Sequence, residues 1–208
     1  MTFEKLVQKR RSVRRYGGRP IPKEDLLKCL EAARLAPSGC NSQPWHFIVI
    51  DEPGLRKRVA ERIFSGLYSM NKFAQEAPVL VAVVSEKEQF LASFGGQIRD
   101  TRYCLIDIGI ACEHLILQAQ ELGIGSCWIG WFDEKALKKE LGLPEKKKVD
   151  IVISLGYPAQ SDGEARPISG RPEEDGIVPK TRKTLEEISS FNAYAQPDKA
   201  QSIKRRIL

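Results

Sequence analysis

Apolar positions recur at two spacings along the chain, and the two alternate. The first helical spacing covers roughly 2–9, with Thr2 as the cap. Pro22 suits the first turn of a second helix, along which Leu26, Leu27, Leu30 and Ala33 line one face. Pro37 ends it, because the residue before a proline avoids helical dihedrals. Residues 46–50, His-Phe-Ile-Val-Ile, read as a strand, and a short helix follows Pro53 with Leu55, Val59 and Ile63 inward. Residues 79–84 are an unbroken apolar run, the pattern of a strand buried on both faces. The longest helix is predicted over 100–122 and stops at Gly123. It is apolar nearly all round, through Leu105, Ile106, Ile108, Ile110, Leu115, Ile116 and Leu117, so it belongs in a core or an interface. A strand near 126–129, a helix capped by Asp133 and a strand over 149–155 complete the regular part, which Gly156-Tyr157-Pro158 closes.

Helices interleave with strands, but too irregularly for a βαβ series, which predicts an α+β fold in one domain over 1–208. The segment 157–208 is polar and proline-bearing, either disordered or wrapped on something else. A chain of 208 residues, 42% hydrophobic and 29% charged, is an ordinary globular mixture and excludes disordered, collagen-like and coiled-coil chains. The net charge of +6 suits an anionic ligand such as a phosphate and is thin for a nucleic-acid binder. The five cysteines, Cys29, Cys40, Cys104, Cys112 and Cys127, are odd in number and lack zinc-ribbon spacing. That favours a reducing compartment over a disulfide framework. The start runs into polar residues, so no signal peptide is expected, and no apolar run approaches a membrane span. A cytoplasmic protein is expected.

Three segments carry candidate chemistry. In the basic run 9–15, Ser12 stands between Arg10 and Arg14, and guanidiniums plus a hydroxyl supply the charge and donors that a phosphate needs. The plain alternative is a solvated helix end. Lys180 and Arg182 form a second basic pair far along the chain. The polar loop 36–45 offers Ser38, Asn41, Ser42 and Gln43 beside Trp45, groups that suit a planar heterocycle or else only satisfy their own backbone. In Cys127-Trp128-Ile129-Gly130-Trp131-Phe132, the glycine lets backbone approach a flat ligand and the aromatics can wall it, against the commoner case of a packed strand edge. His46 and His114 read as satisfied structural histidines, and no residue demands a role as general acid or base.

Taken together, Arg10-Arg11-Ser12-Val13-Arg14, the run 37–45, the run 123–130 and the tail 179–188 resemble the FMN-dependent nitroreductase family, in its order and spacing. The resemblance covers about Phe3 to Asn192. It implies a central mixed or antiparallel sheet flanked by helices, in an intertwined homodimer with flavin sites at the subunit interface and 157–208 packing on the partner subunit. It further implies that Arg10, Ser12 and Arg14 hold the FMN phosphate, with Arg11 inside the motif and Lys180 and Arg182 closing on it. Pro37, Ser38, Gly39 and Asn41 fall where the family meets the flavin of the neighbouring subunit. Ile129, Gly130 and Trp131 fall where its backbone faces the reactive side of the ring system, and Asn71 lies near a position at the pyrimidine end. Trp131 stands where the family most often has glycine, and the region between Glu61 and Gln75 lacks the extra helices with which larger members shape the substrate site.

The chemistry so implied is a ping-pong transfer: hydride passes from NADH or NADPH to flavin N5, then to a nitroaromatic, a quinone or a similar small acceptor. No metal is expected. The rival is a non-catalytic FMN-binding dimer, a sensor or flavin store, which would bind flavin without oxidising NAD(P)H. A nucleic-acid role for Arg10–Arg15 and Lys204-Arg205-Arg206 lacks interleaved aromatics and is set aside, as is a membrane role.

Overall fold

The computed structural model describes residues 1–86, 101–159 and 182–194. Four strands make one sheet: β1 (Trp45–Ile50), β2 (Val79–Ser85), β3 (Gly125–Ile129) and β4 (Lys148–Gly156), in the order β1-β2-β4-β3. All three strand pairs are antiparallel. The helices are α1 (Phe3–Lys9), α2 (Lys23–Arg34), α3 (Pro53–Ile63), α4 (Tyr103–Glu121), α5 (Glu134–Leu141) and α6 (Leu185–Ile188). The chain divides into two compact units, Met1–Ala165 and Arg166–Leu208. In the second, α6 is opened by a capping box: Thr184 accepts from the Glu187 N–H while the Glu187 carboxylate accepts from the Thr184 N–H.

The unbroken apolar run of β2 follows from its central place. Leu80, Ala82 and Val84 face one core, with Val59, Ile63 and Phe64 at α3 and Leu137 of α5. Val79, Val81 and Val83 face a second core, with Leu26, Cys29 and Ala33 of α2 and Ile108, Ala111, Cys112 and Leu115 of α4. The sheet is thus the middle of three layers. On β4 the alternation slips, because Val83 pairs with Ile151 but Val84 pairs with Val149. Asp150 is the extra residue of this bulge. Burial pushes its carboxyl pKa up, against a bond from Ser85 and the Lys148 charge.

Several expectations change. Pro22 caps α2 from outside instead of sitting in its first turn, with an extended ψ of 138°. Leu27 is exposed, because the buried stripe of α2 runs through Leu26, Cys29 and Ala33. His46 is exposed, whereas His114 is satisfied by the Ala32 carbonyl, 3.2 Å from its Nδ1. The apolar circumference of α4 is only partly covered, since Leu105 and Ile106 are 40% and 52% exposed. The stretch Gly66–Glu76, given no element by the periodicity, is a 3-10 helix. No described helix is long and apolar enough to cross a membrane.

Glu134 fastens α5 to the start of β4. Its carboxylate accepts from the Val149 N–H at 3.0 Å and pairs with Lys138 at 2.9 Å and with Lys148. Burial works against its charged form, but the Lys148, Val149 and Lys138 donors outweigh it and hold the pKa at about 2. A folded-state pKa below the ordinary 4.5 gives stability that is present above pH 4.5 and is lost as pH falls towards 2. Glu134→Gln should therefore melt lower than the parent at neutral pH. Thermal unfolding across the acid range should show that gap closing between pH 4.5 and 2; a pH-independent gap would assign the effect to packing alone.

Candidate functional site

β3 is an edge strand, and the basic segment lies along its outer side. The Val13 N–H donates to the Ser126 carbonyl at 2.8 Å, and Ser12 forms a parallel bridge to Ser126. Gly125 makes this approach possible: a Cβ there would stand 2.5 Å from Val13 Cγ2 and 2.9 Å from its Cβ. The far end of the segment is tied to the chain after β4, with the Gly17 N–H donating to Tyr157 O at 2.9 Å and the Ala159 N–H donating to Arg15 O at 3.1 Å. Tyr16 anchors it from inside. Its hydroxyl donates to the Val13 carbonyl at 2.8 Å and lies 2.7 Å from the Ser154 hydroxyl on β4. Burial raises the pKa of this phenol, so it remains a neutral donor.

This anchoring gathers Arg10, Ser12 and Arg14 around the buried Cys127 of β3. Burial pushes the Cys127 thiol up, opposed by the Arg14 charge, a bond from the Ser12 side chain and the Arg10 charge. Two arginines and an exposed serine on one strand edge match the charge and donor set of a phosphate. Arg11 is half-buried. Beyond the Ser12 bridge, the outer edge of β3 pairs with no other strand among the described residues as it runs through Ile129 to the exposed Gly130. Such an edge presents backbone donors and acceptors to a flat ligand.

Trp131 follows at once, and it is tied to the 3-10 helix Gly66–Glu76. The Asn71 side-chain amide donates to the Trp131 carbonyl at 2.8 Å, and the Trp131 indole N–H donates to the Leu67 carbonyl at 3.1 Å. The same 3-10 helix carries Phe73, whose ring centre lies 5.8 Å from the Arg14 guanidinium carbon. One short element therefore touches both the basic cluster and Trp131. Of the other aromatics in the segment, Phe132 is buried and Trp128 packs against the second core.

The polar loop forms its own cluster against α4. Its backbone holds three residues other than glycine at positive φ, Cys40 (53°), Asn41 (53°) and Gln43 (45°). Such conformations cost about 1–3 kcal/mol each unless surrounding bonds fix them. Here the Gln43 N–H donates to Ser38 Oγ at 3.0 Å, and Gln43 Nε2 donates to Asn41 O and Oδ1 at 3.2 and 3.1 Å. The Gly39 N–H donates to Oδ2 of Asp107 on α4 at 3.1 Å. Pro37 is exposed at the loop's entry. Lys180 lies outside the described residues; Arg182 is exposed in the second unit.

Sequence reasoning missed Tyr16, Phe73 and Asp107. Asp107 had a signal: it is the only charged residue between Tyr103 and Cys112, and it is just 6% exposed. A carboxylate on so apolar a helix implies a buried donor nearby.

A model of the nitroreductase family matches residues 7–157. An archaeal relative from Archaeoglobus fulgidus, which carries the name NADH dehydrogenase/NAD(P)H nitroreductase, is 35% identical over 74% of this chain and 84% of its own. The iodotyrosine deiodinase of Thermotoga neapolitana is 29% identical over 74% of this chain and 87% of its own. Among solved structures, an FMN-dependent nitroreductase from Clostridium difficile matches with a TM-score of 0.63 at 27% identity, covering 91% of this chain and 98% of its own. The chain belongs to the nitroreductase family.

Asp107→Ala should destabilise the protein by about 1.5–3 kcal/mol in chemical denaturation, the range for a hydrogen bond to a charged group. Asp107→Asn, which keeps an acceptor for the Gly39 N–H, should recover most of that loss. Equal losses in the two variants would mean that the carboxylate does not hold the loop. Gly125→Ala forces Val13 off the strand edge, so it should expose the Cys127 thiol to a thiol reagent under native conditions. An unchanged labelling rate would show that the segment stays in place.

Proposed function

We propose that this chain is an FMN-dependent oxidoreductase that passes hydride from NADH or NADPH to a small organic acceptor by a ping-pong scheme, working as a homodimer. The observation that carries the reading is the cluster of Arg10, Ser12 and Arg14 on the open edge of β3, in a chain of the nitroreductase family. The chain is an enzyme, and FMN and NAD(P)H are its cofactor and reductant. The residues fit the cofactor's chemistry: a dianionic phosphate meets two guanidiniums and a hydroxyl, and Gly130, exposed at the end of the edge, adds no side chain of its own there.

When bound, FMN supplies the redox chemistry through N5, and the protein supplies binding, orientation and electrostatics. Arg10 and Arg14 neutralise the phosphate, Ser12 adds a short donor, and Arg11 adds charge from within the motif. Ile129 and Gly130 present backbone to the ring system, Trp131 stands beside them, and Asn71 braces Trp131. Pro37, Ser38, Gly39 and Asn41 meet the flavin of the neighbouring subunit, and Asp107 fixes their geometry. The dimer forms over the uncovered face of α4, where Leu105 and Ile106 are exposed. Residues 157–159 pair with Arg15 and Gly17 of their own chain, so within the tail 157–208 the reach to the partner is proposed only for the residues beyond them. None of the five cysteines is in a disulfide, in keeping with a cytoplasmic site of action.

An absorption spectrum of the purified protein, followed by anaerobic NADH or NADPH in the same cuvette, tests the reading. The paired bands of an oxidised flavin that bleach on addition are expected. Bands that persist with both reductants would favour a non-catalytic flavin-binding dimer. A colourless protein that takes up no added FMN would overturn the proposal. Arg10→Ala and Arg14→Ala should each weaken FMN binding by about 1.5–3 kcal/mol in an equilibrium titration, the range for a hydrogen bond to a charged group. Unchanged dissociation constants in both would remove the phosphate site.

A further inference from the structure

Ser154 is the one polar residue of β4 that is fully buried, at 0% exposure. A hydroxyl in that place needs a partner, and it has one in Tyr16 of the basic segment, 2.7 Å away. The Tyr16 hydroxyl donates to the Val13 carbonyl at 2.8 Å, which uses its one proton, so Ser154 is the donor of the pair. Gly156 leaves the gap that the Tyr16 ring fills, because a Cβ there would stand 2.7 Å from Tyr16 Cδ1. Val13 lies between Ser12 and Arg14, and both of its backbone groups are bound. Its N–H, in the peptide shared with Ser12, donates to the Ser126 carbonyl at 2.8 Å. Its carbonyl, in the peptide shared with Arg14, accepts from Tyr16. Peptides are planar, so these two bonds fix the planes from which the Ser12 and Arg14 side chains depart.

We propose that the buried Tyr16–Ser154 hydroxyl pair sets how strongly the site prefers a phosphorylated flavin to its phosphate-free form, by holding the peptide between Val13 and Arg14. The inference rests on the flavin reading and concerns two residues that touch no part of the flavin. Tyr16 and Ser154 are 7% and 0% exposed, so both act through Val13 and are positioning residues. Three features carry this role. A guanidinium–phosphate bond is directional, so its strength in an exposed segment depends on ordering achieved before the ligand arrives. The pair is also neutral: burial raises the phenol's pKa, so the carbonyl is held without a negative charge beside the phosphate. Finally, the pair braces the start of β3's outer edge, whereas the flavin reading puts the ring system at Ile129 and Gly130. Its loss should therefore cost the phosphate's share of binding and spare the ring's.

The test starts from the full chain loaded with FMN and dialyses it to equilibrium against graded FMN or graded riboflavin, which has the same ring system and no phosphate. The parent should bind FMN at least about a hundredfold more tightly than riboflavin. Tyr16→Phe keeps the ring and removes the hydroxyl. It should cut that preference about tenfold by weakening FMN, with riboflavin affinity unchanged. Ser154→Ala should act in the same direction, and it decides the matter if Tyr16→Phe fails to fold. The double variant should lose no more than Tyr16→Phe alone, because both changes remove one support. Ile116→Val thins the second core, on the other face of the sheet, and should leave the preference at the parent's value, so a general loss of stability does not imitate the result. A preference that survives in both single variants would overturn the proposal. So would an equal loss of FMN and riboflavin affinity, since the pair would then support the whole site and not its phosphate end. A parent that takes up neither flavin would overturn the flavin reading and this proposal with it. That failure shows in the parent, whereas failure of the proposal alone shows only in the variants.

Discussion

The basic segment would be an ordinary exposed loop but for its attachment to the edge of β3. One backbone bond from Val13 to Ser126 sets the register, and the Tyr16 hydroxyl, between the Val13 carbonyl and Ser154, fixes its depth. The register brings the Ser12 side chain to Cys127 and leaves Arg10 and Arg14 close enough for their charges to act on that thiol. Gly125 is the condition for it, because a Cβ would occupy the space of Val13. The cluster of like charges is built by hydrogen bonds made elsewhere, and those bonds offset the mutual repulsion of the guanidiniums.

Much of this was legible in the sequence, for identifiable reasons. The period of two in β2 vanishes because both its faces are buried, and the unbroken apolar run said so. The cap residues Thr2 and Asp133 accept the bonds expected of them, from Lys5 and Ala136. The strand order was not legible, because β2 and β4 pair across more than sixty residues and neither strand carries a mark of its partner. The 3-10 helix escaped because Leu67 and Met70 are exposed and only Phe73 and Ala74 reach the core, so no period of 3.6 results.

For the site, residue types announced themselves and their supports did not. Arginines flanking a serine, or a loop of amides, are visible as chemistry. Tyr16 and Asp107 act by bonding to backbone atoms far away in sequence, which no local pattern records. The 3-10 helix is the clearest instance. Through Phe73 it touches Arg14, and through Asn71 and Leu67 it holds Trp131. The phosphate end and the ring end of the proposed site thus share one short element, whose own hydrogen bonding is weaker than that of an α-helix.

The topology also sets an order of events during synthesis. The arginine segment leaves the ribosome before the groups that hold it: its docking strip, Ser126, and its anchor, Ser154, come more than a hundred residues later. β2 likewise waits for β4 before its second edge is paired. The sheet closes late, as pairings of high sequence separation do. A nascent chain stopped before Gly156 would present the cationic segment with nothing to lie on. The earliest-made part of the site is in this sense the last to be placed, and it certifies that the rest of the domain has been completed.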